Sequence, residues 1–205
     1  MEVTPPSMSE KIGVYSLDES FRECISLRLS PGSSPVPWAL CSLTATFMGE
    51  CCGELFPKID GKGGPLNRDE IAGAVGFVLN ELVENAVKFR QHGDVDVIVG
   101  LDQEDVVCLV SNSILASTVP ALRARLYELM QGDPRELLRR QVEANTTDVK
   151  GGKSAGSGLG YFILMTDHGV RLGWELSPIS DSSFNITTMA RISVRNERSD
   201  HGDYR

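Results

Sequence analysis

The chain has 205 residues, 41% hydrophobic and 23% charged, with 20 Lys and Arg against 28 Asp and Glu for a net charge of -8. That composition describes a globular domain long enough to bury a core, and no apolar run approaches the length that spans a bilayer. A pI near 4.9 argues against a nucleic-acid-binding surface, which needs a basic stripe to neutralise phosphates.

The opening residues, MEVTPPSMSEK, hold neither a basic start nor an apolar stretch, so they do not read as a secretory signal and a cytoplasmic location is expected. Residues 1 to 10 and 196 to 205 are polar and should carry little of the fold. Cys24, Cys41, Cys51, Cys52 and Cys108 show no paired metal-ligand spacing and are read as buried thiols.

Two β-like runs come first. Ile12, Val14 and Ser16 alternate against Gly13, Tyr15 and Leu17, and a second run covers Cys24 to Leu29. An exposed strand here would be able to pair with a second copy of the chain. After the PGSSPVP break, Trp38, Cys41, Ala45, Met48, Cys52 and Leu55 recur at three and four residues, one face of a helix. Trp38 and Trp174 are both expected in the core. Pro57 and the loop IDGKGGPLN close this helix.

The next helix is the best specified. Asn67 and Glu70 form a capping pair, and Ile71, Val75, Val78, Leu82, Ala86 and Phe89 form an apolar stripe. Within ELVENAVKF, Glu81, Asn85 and Lys88 are four and three residues apart and project from nearly one line, about a quarter turn from that stripe. The line carries a carboxylate that can accept a proton, an amide oxygen suited to Mg²⁺ and an ammonium suited to phosphate. Such a helix can pack on a sheet and present its polar line at the edge of a pocket. Taken alone, the triplet reads more readily as a solvated helix face.

After QHGD the period becomes two through Val95, Val97, Val99 and Leu101, and the run Val106 to Val110 completes a hairpin. From Ser111 to Ala155 the chain is polar and helical, with no strand expected. Pro120 opens one helix, and Asp133, Pro134 and Glu136 open another with a capping box. Arg123, Arg125, Arg135, Arg139 and Arg140 read as a solvated face, and NTTDVKGGKSAGSG has the small-residue composition of a lid. GSGLG, Gly156 to Gly160, then opens a helix from Leu159 to about His168, where the glycines permit close backbone approach and free N–H groups suit an anion. Strands near Val170 to Leu176 and Ser183 to Val194 follow. GSGLG is not a dinucleotide fingerprint, because Tyr161 stands where the last glycine belongs. GGKS at Gly151 to Ser154 is not a P-loop, because Thr147 replaces the leading glycine. His168, before Gly169, reads as a helix end rather than a catalytic group.

This order of segments resembles the GHKL, or Bergerat-fold, ATPase superfamily: a helix with glutamate and asparagine four apart, a strand pair, a variable lid, then GxGLG opening a helix and two closing strands. Within it the chain is most similar to the small free-standing serine kinases of bacterial partner-switching systems, the anti-sigma-factor and SiaB-like type. The resemblance covers residues 36 to 194, with the lid at about 113–157, and leaves 1–35 as an N-terminal extension and 195–205 as a tail. It implies an α/β (α+β) two-layer sandwich with a mixed, mainly antiparallel sheet and helices on one face. It implies ATP and Mg²⁺, with Glu81 as general base, Asn85 on Mg²⁺, Lys88 on phosphate, and Gly156, Gly158, Leu159 and Gly160 along the phosphates. The superfamily grips adenine with an aspartate after the second hairpin strand. Here LVSNSI puts Ser111 or Asn112 at that place, a neutral acceptor and so a weaker one. The implied function is a serine/threonine protein kinase acting on a small STAS-like antagonist protein. The alternative is a catalytically inactive or weak nucleotide-binding scaffold that regulates its partner by binding alone. Neither reading involves nucleic acid or membrane.

Overall fold

A computed structural model describes residues 8–16, 21, 23–30, 36–55, 67–102, 105–150, 160–167 and 169–193, with 102, 144–150 and 167 described by backbone alone. Two short strands, β1 (Glu10–Gly13) and β2 (Glu23–Leu29), precede two helices, α1 (Trp38–Leu55) and α2 (Arg68–Phe89). The hairpin of β3 (Val95–Asp102) and β4 (Asp105–Leu115) follows. Then come α3 (Val119–Gln131), α4 (Pro134–Lys150), α5 (Gly160–Asp167) and the hairpin of β5 (Arg171–Ser180) and β6 (Ser183–Ser193). The strands form one sheet in the order β1-β5-β6-β4-β3-β2. Every pairing in it is antiparallel. The mixed sheet expected from the sequence is thus corrected to a purely antiparallel one among the described residues, because both hairpins reverse the chain and β4 meets β6 antiparallel as well.

Period-two alternation sorts the sheet into two faces. Val97, Val110, Thr188, Trp174 and Ile12 follow one another across the strands by register. They lie on the face where α1 to α5 bury their apolar sides in one core. On the other face Val107, Leu109 and Met189 are covered by Tyr15, with Phe21 and Ile98 alongside. The architecture is the expected two-layer α+β sandwich. Residues 1–35, set apart as an extension on the sequence, contribute both edge strands. β4 also runs past Ser111 to Leu115, where a strand was not expected, because pairing from Ser111↔Thr187 to Leu115↔Ser183 carries the polar stretch.

The helix layer is built on close backbone contact. A Cβ at Gly49 would stand 2.5 Å from the Ala72 carbonyl oxygen, and one at Gly53 2.8 Å from that of Arg68, so only glycine lets α1 and α2 meet there. Cys41, Ala45, Met48 and Cys52 are buried as expected. Trp38 is not in the core, being 57% exposed on the first turn of α1, and Leu55 and Phe89 are exposed at their helix ends. The α2 capping box forms fully, with Glu70 N–H on Asn67 Oδ1 at 3.0 Å and Asn67 N–H on Glu70 Oε2 at 2.8 Å. At α4, Asp133 Oδ1 accepts from Arg135 N–H at 2.9 Å. Glu136, expected to complete a box, is instead bound by Arg139 and Arg140, which hold its carboxyl at about 2.

Much of the expected lid is packed. Val119, Leu126, Leu129 and Leu137 enter the core, and Arg123 Nε reaches Glu10 Oε2 on β1 at 2.7 Å. Cys41, Cys52 and Cys108 are buried, but Cys24 is exposed, against the expectation of a buried thiol. Leu17, the loops around PGSSP and IDGKGGPL, GGKS, His168 and Val194 lie outside the described residues.

Candidate functional site

α2 lays its apolar stripe on the sheet and turns Glu81 and Asn85, both half-buried, toward α5. There the two sequence motifs meet. Gly160, buried at the first position of α5, lies so close to Glu81 that a Cβ on it would stand 2.0 Å from Glu81 Oε2. The last glycine of GSGLG therefore lets the backbone come close to a carboxylate, where a side chain would push Glu81 aside. Gly156, Gly158 and Leu159 lie outside the described residues.

Tyr161 fastens the same corner. Its ring stands edge-on to Trp174, with centroids 5.6 Å apart at 70°. Burial pushes its hydroxyl pKa up, against hydrogen bonding from Thr188, Trp174 and Asn85, which pulls it down. The Trp174 indole N–H acts on that hydroxyl but completes no hydrogen bond of normal geometry. Among the described residues it is the buried side-chain polar atom left without a partner. Glu81 is shifted too: burial, and then the charge of Glu84 one turn on, raise its pKa and make it a stronger base than an exposed carboxylate. Glu84 is itself held by Asn80 Nδ2 at 2.9 Å.

The other expected residues divide. Lys88 is exposed, with Nζ 5.2 Å from the centre of the Phe89 ring. Asn112 is buried on the helix face of β4, opposite Ile186, and its Nδ2 reaches the Ser113 carbonyl at 3.2 Å. Ser111 lies on the other face, bonded to Thr187 at 2.8 Å. Strand parity thus leaves Asn112 as the one of the two that shares a layer with α2. Asn112 and Thr188 put polar groups into a helix-facing surface that is otherwise apolar. Tyr161, Thr188, Glu84 and the site role of Trp174 were not read from the sequence. Only Tyr161 carried a signal, as an aromatic directly after the glycine motif.

Among the described residues no group of three or more His, Cys, Asp or Glu is placed to hold a metal ion, and no helix is long and apolar enough to cross a membrane. No protein-family model matches the chain, and no curated protein sequence does. Among solved structures, the chain is similar to one described as the crystal structure of the SiaB-SiaC complex from Pseudomonas aeruginosa. The TM-score is 0.51 at 15% identity, over 84% of this chain and 91% of that one. At that identity the likeness is one of fold.

Proposed function

We propose that the protein is an ATP-dependent serine/threonine kinase of GHKL type that phosphorylates a small STAS-like partner in a partner-switching module. The observation that carries this reading is the contact of Gly160 with Glu81, beside Asn85 on the same line of α2. The fold likeness to a chain solved in a complex of two proteins supports a protein partner.

The donor set fits Mg²⁺–ATP. Asn85 offers one amide oxygen, and Mg²⁺ keeps most of its shell as phosphate and water. When bound, the nucleotide complex supplies the transferable phosphoryl group and neutralises charge around it. The chain's own residues do the rest. Glu81 accepts the proton of an incoming hydroxyl, with a pKa moved in the direction of neutral pH by burial and Glu84. Hydrogen bonding between Asn85 and the Tyr161 hydroxyl, one of the interactions that lower the Tyr161 pKa, would orient the amide for its role as a ligand. α5 opens at Gly160 with N–H groups that suit a phosphate.

A second reading, a scaffold that binds its partner, with weak nucleotide binding and without transfer, is favoured by the buried, neutral Asn112, which stands where the superfamily places the aspartate that grips adenine. Calorimetric titration with ATP, with and without Mg²⁺, tests the site. Mg²⁺-dependent binding is expected, weakened about 10–100-fold in Asn85→Ala. No binding at millimolar ATP removes both readings, whereas binding without phosphoserine or phosphothreonine formation on an added STAS-like protein selects the scaffold.

Gly160→Ala separates the two further. The new methyl overlaps a carboxylate at the end of a flexible side chain, so the fold is retained while Glu81 moves aside. A displacement of about 1 Å is expected to slow transfer about 100-fold. Transfer at the wild-type rate would place the base elsewhere.

A further inference from the structure

We infer that β1 and the residues after it form a clip around the edge of the sheet, one arm holding α3 on the helix face and the other lying on the outer face, so that release of the outer arm loosens α3. The helix-face arm is a set of contacts on one short strand. Ile12 is 2% exposed within the main core, and strand parity puts Glu10 on the same face. Glu10 accepts from Arg123 Nε at 2.7 Å and from the Tyr127 hydroxyl at 3.2 Å. Met130, in the last turn of α3, reaches the end of the strand: a Cβ at Gly13 would stand 3.2 Å from its sulfur. α3 packs against β1 more than against any other described strand.

The outer arm begins at Gly13, whose φ of 71° turns the chain out of the strand. The Val14 N–H donates to the Leu172 carbonyl at 3.1 Å, and Tyr15 then passes directly over β5. A Cβ at Gly173 would stand 2.4 Å from Tyr15 N and 2.9 Å from its Cα, so a position without a side chain is the seat on which the arm rests. The Tyr15 ring is buried on Val107, Leu109 and Met189, with Lys11 Nζ 5.6 Å from its centre. Its hydroxyl engages Glu175 on β5 and Thr187 on β6, and Arg191 Nη2 donates to the Ser16 carbonyl at 3.1 Å.

Neither arm is strong alone. β1 has four residues and one strand partner, β5, and the Arg123 and Glu10 side chains are 43% and 29% exposed, so their ion pair adds little by itself. The strand keeps its place because it is held from both faces, and a loss on the outer face is carried through its backbone to α3. α3 leads into α4, with Arg125 Nη2 donating to Gln141 Oε1 at 3.2 Å. α4 packs on α5, the helix that meets Glu81 at Gly160. The clip thus links the outer face of the sheet to the helical insert, and it does so whether or not phosphate is transferred.

Hydrogen exchange of the full chain, read by mass spectrometry, tests the clip by comparing wild type with Gly173→Ala. The three atoms nearest the new methyl all belong to the backbone of Val14 and Tyr15, which cannot swing aside as the end of a side chain can. Amides of residues 119–131 are expected to exchange about 10-fold faster or more, while those of the β3 and β4 hairpin stay within about 2-fold of wild type. Tyr15→Ala, which removes the ring and leaves the seat intact, is expected to act in the same direction. Unchanged α3 protection in Gly173→Ala overturns the proposal, as does an α3 already unprotected in wild type. So does a loss shared equally by the hairpin, which would be a global loss of stability. Loosening by Gly173→Ala alone would trace the effect to the clash of the methyl and would also overturn it.

Discussion

Glu81→Gln is expected to cut phosphoryl transfer to a protein hydroxyl by about 10²–10⁴-fold, the usual contribution of a general base, while the chain stays folded and keeps its nucleotide. Glutamine has the shape that Gly160 packs against but cannot take a proton. Stability separates this outcome from simple unfolding. Burial first, and then Glu84, raise the Glu81 pKa. An acid whose folded pKa lies above its unfolded one stabilises the fold below the unfolded pKa, and that contribution is lost as pH rises through the folded pKa. At neutral pH an ionised Glu81 therefore weakens the fold, and glutamine removes that effect. The variant should melt no lower than wild type at pH 7, with any advantage shrinking as pH falls below the ordinary carboxylate range. Transfer by the wild type should rise with pH through the same raised pKa. Radiolabel transfer and thermal melts at both pH values check all three. Undiminished transfer would remove Glu81 from the chemistry, and an earlier melt at pH 7 would mean the loss was structural.

α2 was legible in the sequence because its signals are local. The Asn67 and Glu70 box, the apolar stripe and the Glu81 and Asn85 line all follow from helical geometry over a few residues. The meeting of Gly160 with Glu81 was legible only as the order of two motifs. That Gly160 itself touches the carboxylate required the packing of α5 on α2. Lys88 shows where helical geometry stops being informative: its Cα lies on the expected line, but a long flexible side chain settles over Phe89. Ser111 and Asn112 were equivalent until register with β6 fixed which one faces the helices. Trp38 fitted the spacing of a buried stripe, but at the N-terminal end of α1 it is exposed, where that spacing finds no further turn of helix before it. Both edge strands were legible as β-like runs, but their partners were not, since β1 finds β5 only through pairing distant in sequence.

Trp174→Ala is expected to cost about 3–5 kcal/mol, the range for emptying a large aromatic site in a core, and so a large part of a typical domain's about 5–15 kcal/mol. Trp174 is 0% exposed. It sits in the cross-strand row between Ile12 and Thr188, with the Tyr161 ring against its edge, so truncation opens a cavity that several rigid strands cannot close. Its N–H completes no hydrogen bond, so Trp174→Phe, which keeps an aromatic ring and deletes an unpartnered polar atom, should cost less than about 1.5 kcal/mol. Urea unfolding should show the alanine variant with a lower midpoint at an unchanged slope. A loss under about 1 kcal/mol would mean the ring is not packed as described. The same pair reads out the site. Without the indole, Tyr161 loses the surface that fixes its ring, and with it the hydroxyl that holds Asn85. Mg²⁺-dependent nucleotide binding should therefore weaken in the alanine variant even at temperatures where it remains folded, and survive in the phenylalanine one. Equal weakening in both would trace the effect to the indole N–H rather than to packing, and would make that buried donor part of the binding site.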